Sequence, residues 1–359
     1  MRFPEFDGEW EKYKLEDITN ILKERISISM LSNSNYISTE NMKSNFGGVD
    51  IATNLPASGN VVKFQQGDTL LSNIRPYLKK VWQAKFDGGC SADIFVFRSN
   101  MMCNQDFLYY ILANEKFVSY AMSGAKGVKM PRGDKEQILK YELHLPITIE
   151  QNKITSLLSL LDERIDTQIK IIEDLKKLKS AISKILFEHC DRVSNIRLLG
   201  DICKITTGKL DANAMTDDGK YPFFTCARED YKTDTFAFYG DSLLISGNGE
   251  IGIVKRYNGK FNAYQRTYVL QNFSENIEYL MYYIEYHLPK RVLKEKNVGA
   301  MPYIVLSTLS EMPIKMPDIK KQFEVNRTLT CLSELIELNS KLKDSYTSQK
   351  SYLLAQMFI

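Results

Sequence analysis

The feature that most constrains this chain is that it repeats itself. The segment KLEDITNI, Lys14 to Ile21, returns as LLGDICKI, Leu198 to Ile205. GDTLLS at Gly67 returns as GDSLLI at Gly240. Met130-Pro131, followed fifteen residues later by Leu145-Pro146, is matched by Met301-Pro302 and then Met316-Pro317, an offset of 171 that continues into a helical segment in each half. A long-period repeat fixes architecture before any motif is read. With 359 residues the chain exceeds the roughly 250 to 300 that one core supports, so a duplicated domain is the economical solution.

Each half closes on a long amphipathic segment. From Ile154 to Leu186 the apolar residues fall at Ile154, Leu157, Leu158, Leu161, Ile165, Ile171, Ile172, Leu175, Leu178, Ile182 and Ile185, a heptad with a, d and e apolar. The second copy, Val325 to Phe358, keeps Leu329, Leu332, Leu335, Ile336, Leu342, Leu353 and Met357 on the same stripe. Neither segment holds proline or glycine. At about 34 residues and about 1.5 Å per residue each helix would be about 50 Å long and would need a partner along its run. The other copy is the obvious partner, in an antiparallel coiled coil, with apolar breadth left at position e for helices of another protein. Gln168 and Asn339 interrupt the a positions, where a polar residue either fixes register or sits at the solvated edge.

The remainder reads as β-rich. Short alternating runs (VVKF, DIFVF, TFAFYG, GIVKRY, TYVL) are separated by Gly, Asn and Asp turns, and each half adds one helix, at Phe107 and at Ile277. The expected class is α+β: two similar β-rich globular domains separated by two long helices. The expected divisions are 1–150 for the first domain, 151–190 for the central helix, 191–318 for the second domain and 319–359 for the C-terminal helix.

Composition narrows the partners only by exclusion. Hydrophobic residues at 44% and charged residues at 25% are ordinary for a folded globular protein. No apolar run approaches the roughly 20 residues that span a bilayer, and the opening MRFPEFDGEW lacks the build of a signal peptide, so a cytoplasmic location is expected. The net charge of +3 is too small to announce nucleic acid; the footprint would be a basic face rather than a total. Cys90, Cys103, Cys190, Cys203, Cys226 and Cys331 form no C-x-x-C pair and read as buried or incidental thiols.

Taken in order, several motifs carry a resemblance. The opening RFPEFDGEWEKYKLEDI, the GD-[ST]-LL strand with its polar loop, the approaches LPITIEQ and MPDIKKQ to the long helices, and the closing KSYLLAQMF together resemble the specificity subunits of type I restriction-modification systems, and the likeness covers the whole chain. It implies that each globular half is a target recognition domain contacting one part of a split, asymmetric sequence in double-stranded DNA. The helices would set the distance between the halves and dock two adenine-N6 methyltransferase subunits, with a restriction and motor subunit joining for cleavage.

DNA contact needs cations for phosphates and forked amide or guanidinium groups for base edges, carried on loops. In the first half Asn73, Arg75, Lys79 and Lys80 follow the GDTLL strand with no acid between Asp68 and Asp87, and Lys126, Lys129 and Arg132 surround Met130-Pro131. In the second, Lys209 lies in TTGK, Arg228 follows FFTCA, Asn248 lies in SGNGE, and Lys255, Arg256, Gln265 and Arg266 follow. Gly247, Gly249 and Gly252 match the dinucleotide fingerprint G-x-G-x-x-G, but the residues after them read as a strand and no acid stands about twenty residues on, so a hairpin loop is expected.

Catalysis is not expected. No proline adjoins another, which removes the [DN]-P-P-[FYW] site of adenine methyltransferases, and no G-x-x-x-x-G-K-[ST] occurs. His144, His189 and His287 show no metal-ligand spacing. No cofactor is implied. The competing reading is a duplicated protein-protein scaffold without DNA specificity. Salt separates the two, because binding through several phosphates weakens steeply with ionic strength and an apolar protein interface does not.

Overall fold

The computed structural model describes residues 2–127, 129–190, 195–227, 231–248, 253–295 and 303–358. It divides into two compact units, one of residues 1–169 with 341–359, the other of residues 170–340. The fold is α+β in both.

In the first unit, strand Glu11–Lys14 pairs antiparallel with Glu142–Leu145. An antiparallel sheet then runs in the order Thr19–Ile21, Ile94–Ser99, Thr69–Ser72, Val81–Gln83. A second sheet runs Arg25–Ser27, Asn60–Phe64, Gly88–Cys90, Tyr36–Ile37, its last pair parallel. Strand Thr69–Ser72 is buried throughout, as a strand covered on both faces must be. Leu71 joins Phe97 and Phe107 in the core under the helices, and Leu70 joins Phe64, Trp82 and Val96 in a second core. The helix expected at Phe107 is two helices, Gln105–Leu112 and Glu115–Ser123. The break falls at Asn114, whose side chain accepts from the Lys116 amide as an N-cap.

The second unit repeats the plan. Asn195–Leu198 pairs with Pro313–Met316, and one sheet runs Lys204–Thr207, Thr267–Gln271, Phe238–Ser246, Val254–Ala263, Tyr221–Phe224, Tyr231–Thr233. Helix Ile277–Glu295 covers the face that carries Leu243, Ile245 and Leu270. Leu244, Val269, Phe224 and Phe261 form the core on the other face.

Strand pairing corrects one sequence anchor. Phe97 faces Ile21 and Thr69, and Leu270 faces Ile205 and Leu243. Thr69 is therefore the counterpart of Leu243, and Ser72 of Ser246, so the GDTLLS and GDSLLI strings lie one residue out of register. Gly67 sits in the turn that opens its strand, whereas Gly240 lies inside a strand already running from Phe238, opposite Gly259. The Met130 anchor has its counterpart at Met301-Pro302, which lies outside the described residues.

The long helices run Thr148–Cys190 and Ile319–Met357, 43 and 39 residues, beginning well before their first heptad leucines. The same device starts both. Gln151 Nε2 donates to the Pro146 carbonyl at 2.8 Å, and Gln322 Nε2 donates to the Pro317 carbonyl at 2.9 Å. Both glutamines are buried, and each folds its own helix start back onto the proline that ended the preceding strand. Buried Glu150 adds a bidentate pair with Arg2, 2.8 Å to each oxygen.

The helices pair antiparallel. In the first unit Lys350 binds Asp162 at 2.5 Å and the Arg164 guanidinium lies over the Tyr346 ring, so rising numbers on one helix meet falling numbers on the other. In the second, Phe187 and Ile182 share a core with Val325 and Leu329. Gln168 has its amide oxygen buried without a partner, while Asn339 donates back to the Leu335 carbonyl of its own helix.

The ends of the helices complete cores. Leu354 and Met357 are buried in the first unit, Phe358 lies 5.0 Å from the ring of Phe107, and Asn114, freed by the helix break, donates to the Leu354 carbonyl. In the second unit Phe187, wholly buried, sits among Tyr279, Tyr283 and Tyr286. Phe187 and Phe358 are counterparts at the same offset of 171.

Both tryptophans, Trp10 and Trp82, belong to the first unit, so tryptophan emission reports that unit alone. Met357→Ala should cost the first unit about 2–5 kcal/mol and lower the midpoint of the emission transition. Phe187→Ala should cost the second about 3–5 kcal/mol and move the far-ultraviolet dichroism transition further than the emission transition. An emission midpoint indifferent to Met357→Ala would contradict this assignment.

Candidate nucleic-acid interface

In the first unit two loops carry the candidate residues, and backbone hydrogen bonds tie them together. The Asn73 amide donates to the Asp93 carbonyl at 2.8 Å, and the Gly133 amide donates to the Asn73 carbonyl at 3.0 Å. The Arg75 amide donates to the Pro131 carbonyl at 2.7 Å, and Lys126 and Arg132 exchange two bonds of 2.9 Å. Asn73, Arg75, Lys126 and Arg132 are thereby brought to one place.

The turn itself is unusual. Arg75 and Lys79 flank the short helix Pro76–Leu78, and both are left-handed, at φ 51° and 54°. Such a backbone costs a non-glycine residue about 1–3 kcal/mol. Asn45 and Phe46, also left-handed, hold it from behind by donating to the Leu78 and Lys79 carbonyls at 2.9 Å.

Most of the cations are already engaged. Lys79 pairs with Glu115 at 2.5 Å, Lys126 with Asp134 at 2.6 Å and Arg132 with Asp93 at 3.0 Å, while Lys80 donates to the Thr39 carbonyl at 2.6 Å. Lys126 and two helix amides hold the Asp134 carboxyl below its usual range. Exposed pairs of this kind are worth about 0–1 kcal/mol, so an approaching phosphate can exchange for the carboxylate at little cost. Arg75 and Lys129 are exposed and form no ion pair among the described residues. Tyr77 and Met130 are exposed among these cations, and Tyr77 was not singled out from the sequence. The signal was an aromatic lodged between Arg75 and Lys79 in a polar loop.

The second unit builds the same clasp from different residues. The Gly247 amide donates to the Arg266 carbonyl at 3.0 Å, and the Ile304 amide donates to the Gly247 carbonyl at 2.8 Å. These are the counterparts of the two bonds at Asn73. Around the clasp the Gln265 amide donates to Leu210, beside exposed Lys209, and the Tyr264 amide donates to Phe224. Lys209, Asn248, Gln265 and Arg266 are thus brought together. Lys255 and Arg256 point to opposite faces of their strand. Lys255 lies over the Phe224 ring, and Arg256 is held apart from the cluster by a bidentate pair with Asp241, 3.0 and 2.7 Å, which keeps that carboxyl below its usual range. Arg228 lies outside the described residues.

Gly247 opens a connection between antiparallel strands, with Ile245 facing Val254, and a strand follows it where a dinucleotide fold would place a helix. Among the described residues no group of three His, Cys, Asp or Glu could hold a metal, and no helix is long and apolar enough to cross a membrane. Burial pushes the Cys90, Cys103 and Cys203 thiols up to about 12, far from the range of a reactive thiolate.

Two loop-bearing copies of one scaffold, each clasped by the same backbone bonds and each closed by a long helix, define the class of architecture, and comparison with known proteins gives its family. The family model for the type I restriction modification DNA specificity domain matches residues 7–177 and again 194–346. The specificity subunit of the type I enzyme EcoDI from Escherichia coli is 37% identical over 139 residues, covering 39% of this chain and 31% of that subunit. The MjaVIII specificity subunit of Methanocaldococcus jannaschii is 24% identical over 301 residues, 72% of this chain and 70% of that one. The crystal structure of a type I S subunit from M. genitalium superposes with a TM-score of 0.66 at 17% identity, covering 100% of this chain and 99% of that one. The chain belongs to the type I restriction modification DNA specificity family.

The clasp gives a direct test of the close approach at Gly247. A Cβ on Gly247 would lie 2.5 Å from the Arg266 carbonyl oxygen, although its counterpart Asn73 carries one. Gly247→Ala should therefore destabilise the second unit by about 1–3 kcal/mol, read in the dichroism transition, with the tryptophan transition unmoved. Unchanged dichroism would show that the strands relax around a Cβ here as they do at Asn73, and would contradict the close approach at Gly247.

Proposed function

We propose that this chain recognises a bipartite, asymmetric DNA target, with residues 1–150 reading one part and residues 191–318 the other, and that it acts without catalysis of its own. The observation that carries the reading is the repeated clasp: identical backbone bonds at Asn73 and Gly247 present loops whose side chains differ. A fixed support under variable polar residues is what two different half-sites require, since phosphate contacts position a protein and base contacts specify. The clustered cations of each unit suit a duplex backbone, and the amides and guanidinium groups among them suit base edges.

The paired helices are proposed as the docking surface for two adenine-N6 methyltransferase subunits, with restriction and motor subunits joining them in a cytoplasmic complex. Support comes from apolar side chains left outside the helix pair. In the second unit Leu178, Ile185, Leu335 and Leu338 are exposed on the long helices, and in the first Leu160 is. A stripe of this kind on helices that already have one partner fits further helices.

The test is an exchange of parts. Replacing residues 1–150 by the corresponding domain of a relative with another target should change one half of the recognised sequence and leave the other as it was, read from methylated positions in the host genome. A chimera that altered both halves would contradict modular reading.

A further inference from the structure

The basic loop of the first unit sets one cation apart from its neighbours. Five non-glycine residues have positive φ among the described ones, and four of them, Asn45, Phe46, Arg75 and Lys79, make up this loop and its backing. Strain persists only where the surroundings over-determine the conformation. Here they do. The Arg75 amide is fixed to Pro131, the Leu78 amide closes back onto the Arg75 carbonyl at 2.9 Å, and buried Pro76 locks the next φ.

Glycine would adopt the backbone of Arg75 without a steric penalty, and a residue before proline is normally driven to extended conformations. The loop therefore holds an arginine against local preference, and what it gains is the side chain. The cations around it are committed: Lys79 to Glu115, Lys126 to Asp134, Arg132 to Asp93 and Lys80 to a carbonyl. The Arg75 side chain is exposed and makes no hydrogen bond or ion pair among the described residues. Lys129 shares that freedom, but an ammonium is a point charge, whereas a guanidinium offers two parallel donors in a plane. In the major groove that fork matches one base edge, O6 with N7 of guanine.

We propose that Arg75 is the guanine-reading residue of the first unit, donating two parallel hydrogen bonds to O6 and N7 of one guanine, while the paired lysines and Arg132 around it turn to phosphates. The proposal rests on the reading of that unit as a DNA recognition domain. The fixed backbone supplies the register: the clasp sets the point from which the guanidinium reaches out, so that its donors are offered to one part of the groove.

Selection from a randomised duplex library with the full chain tests it, comparing the parent with Arg75→Lys, Arg75→Gly and Lys129→Ala. The parent should enrich a two-part sequence with an invariant guanine in one part. Arg75→Lys and Arg75→Gly should each lower the preference for that guanine by roughly 5- to 150-fold, leaving every other position in place and the thermal midpoint no lower than that of the parent. Lys129→Ala should weaken binding to all sequences alike and flatten the salt dependence. If both Arg75 variants keep the full preference of the parent, or if Arg75→Lys alone does, Arg75 does not read guanine. If the parent enriches no sequence at all, the reading of the unit as a recognition domain fails, and the proposal with it.

Discussion

Neither globular part of this protein can close its core with its own repeat. The first needs Leu354, Met357 and Phe358 from the end of the second helix, and the second needs Phe187 from the end of the first. These are the same positions of the repeat, each used on behalf of the other copy. A helix that starts against one core and finishes in another has to be long, and within each unit the two helices run antiparallel. The length of the helices, their direction and their lack of proline follow from that exchange.

The beginning of each helix is fixed as firmly as its end. The glutamine that reaches back to the proline carbonyl satisfies buried polar atoms on both sides and sets the direction in which the helix leaves. With both ends of the scaffold specified, the connecting loops are released from structural duty apart from the few backbone bonds of the clasp. Side chains in those loops can diverge at little cost to the core, which is how Asn73 and Gly247 come to occupy one place with different neighbours.

Much of this was legible in the sequence because a repeat exposes itself on self-comparison. The 171-residue offset related the two helices to each other, although each begins six residues before its heptad, and the heptads gave the pairing partner. What escaped is local or non-local in ways a single string does not record. The shared GD-[ST]-LL letters misled by one residue, because a strand that starts early needs its partner strand to show its register. The break at Asn114 looked like continuous helix, since the apolar spacing persists through it, and the contact that the break permits, from Asn114 to the Leu354 carbonyl, lies far along the chain. For the candidate residues the sequence listed the cations but could not tell loop from strand, as at Lys255 and Arg256, or committed from free. Arg256 is clamped by an aspartate fifteen residues earlier, and Lys79 by Glu115, both pairings that only the fold creates. The left-handed backbone of Arg75 carries no sequence signal at all, because arginine before proline is expected to be extended.

The central claim is that the two clasped loop clusters are the faces that meet DNA. Photocrosslinking of the full chain to an iodouracil-substituted duplex of its selected target, with the adducted peptides identified by mass spectrometry, tests it most directly. Exposed aromatic and sulfur side chains stand beside both clasps, Tyr77 and Met130 in the first unit and Tyr303 in the second. The account predicts adducts on peptides that contain these residues, in both units and on opposite parts of the target. Adducts confined to the long helices, at Tyr346 or Tyr352, or to Tyr239, would contradict it.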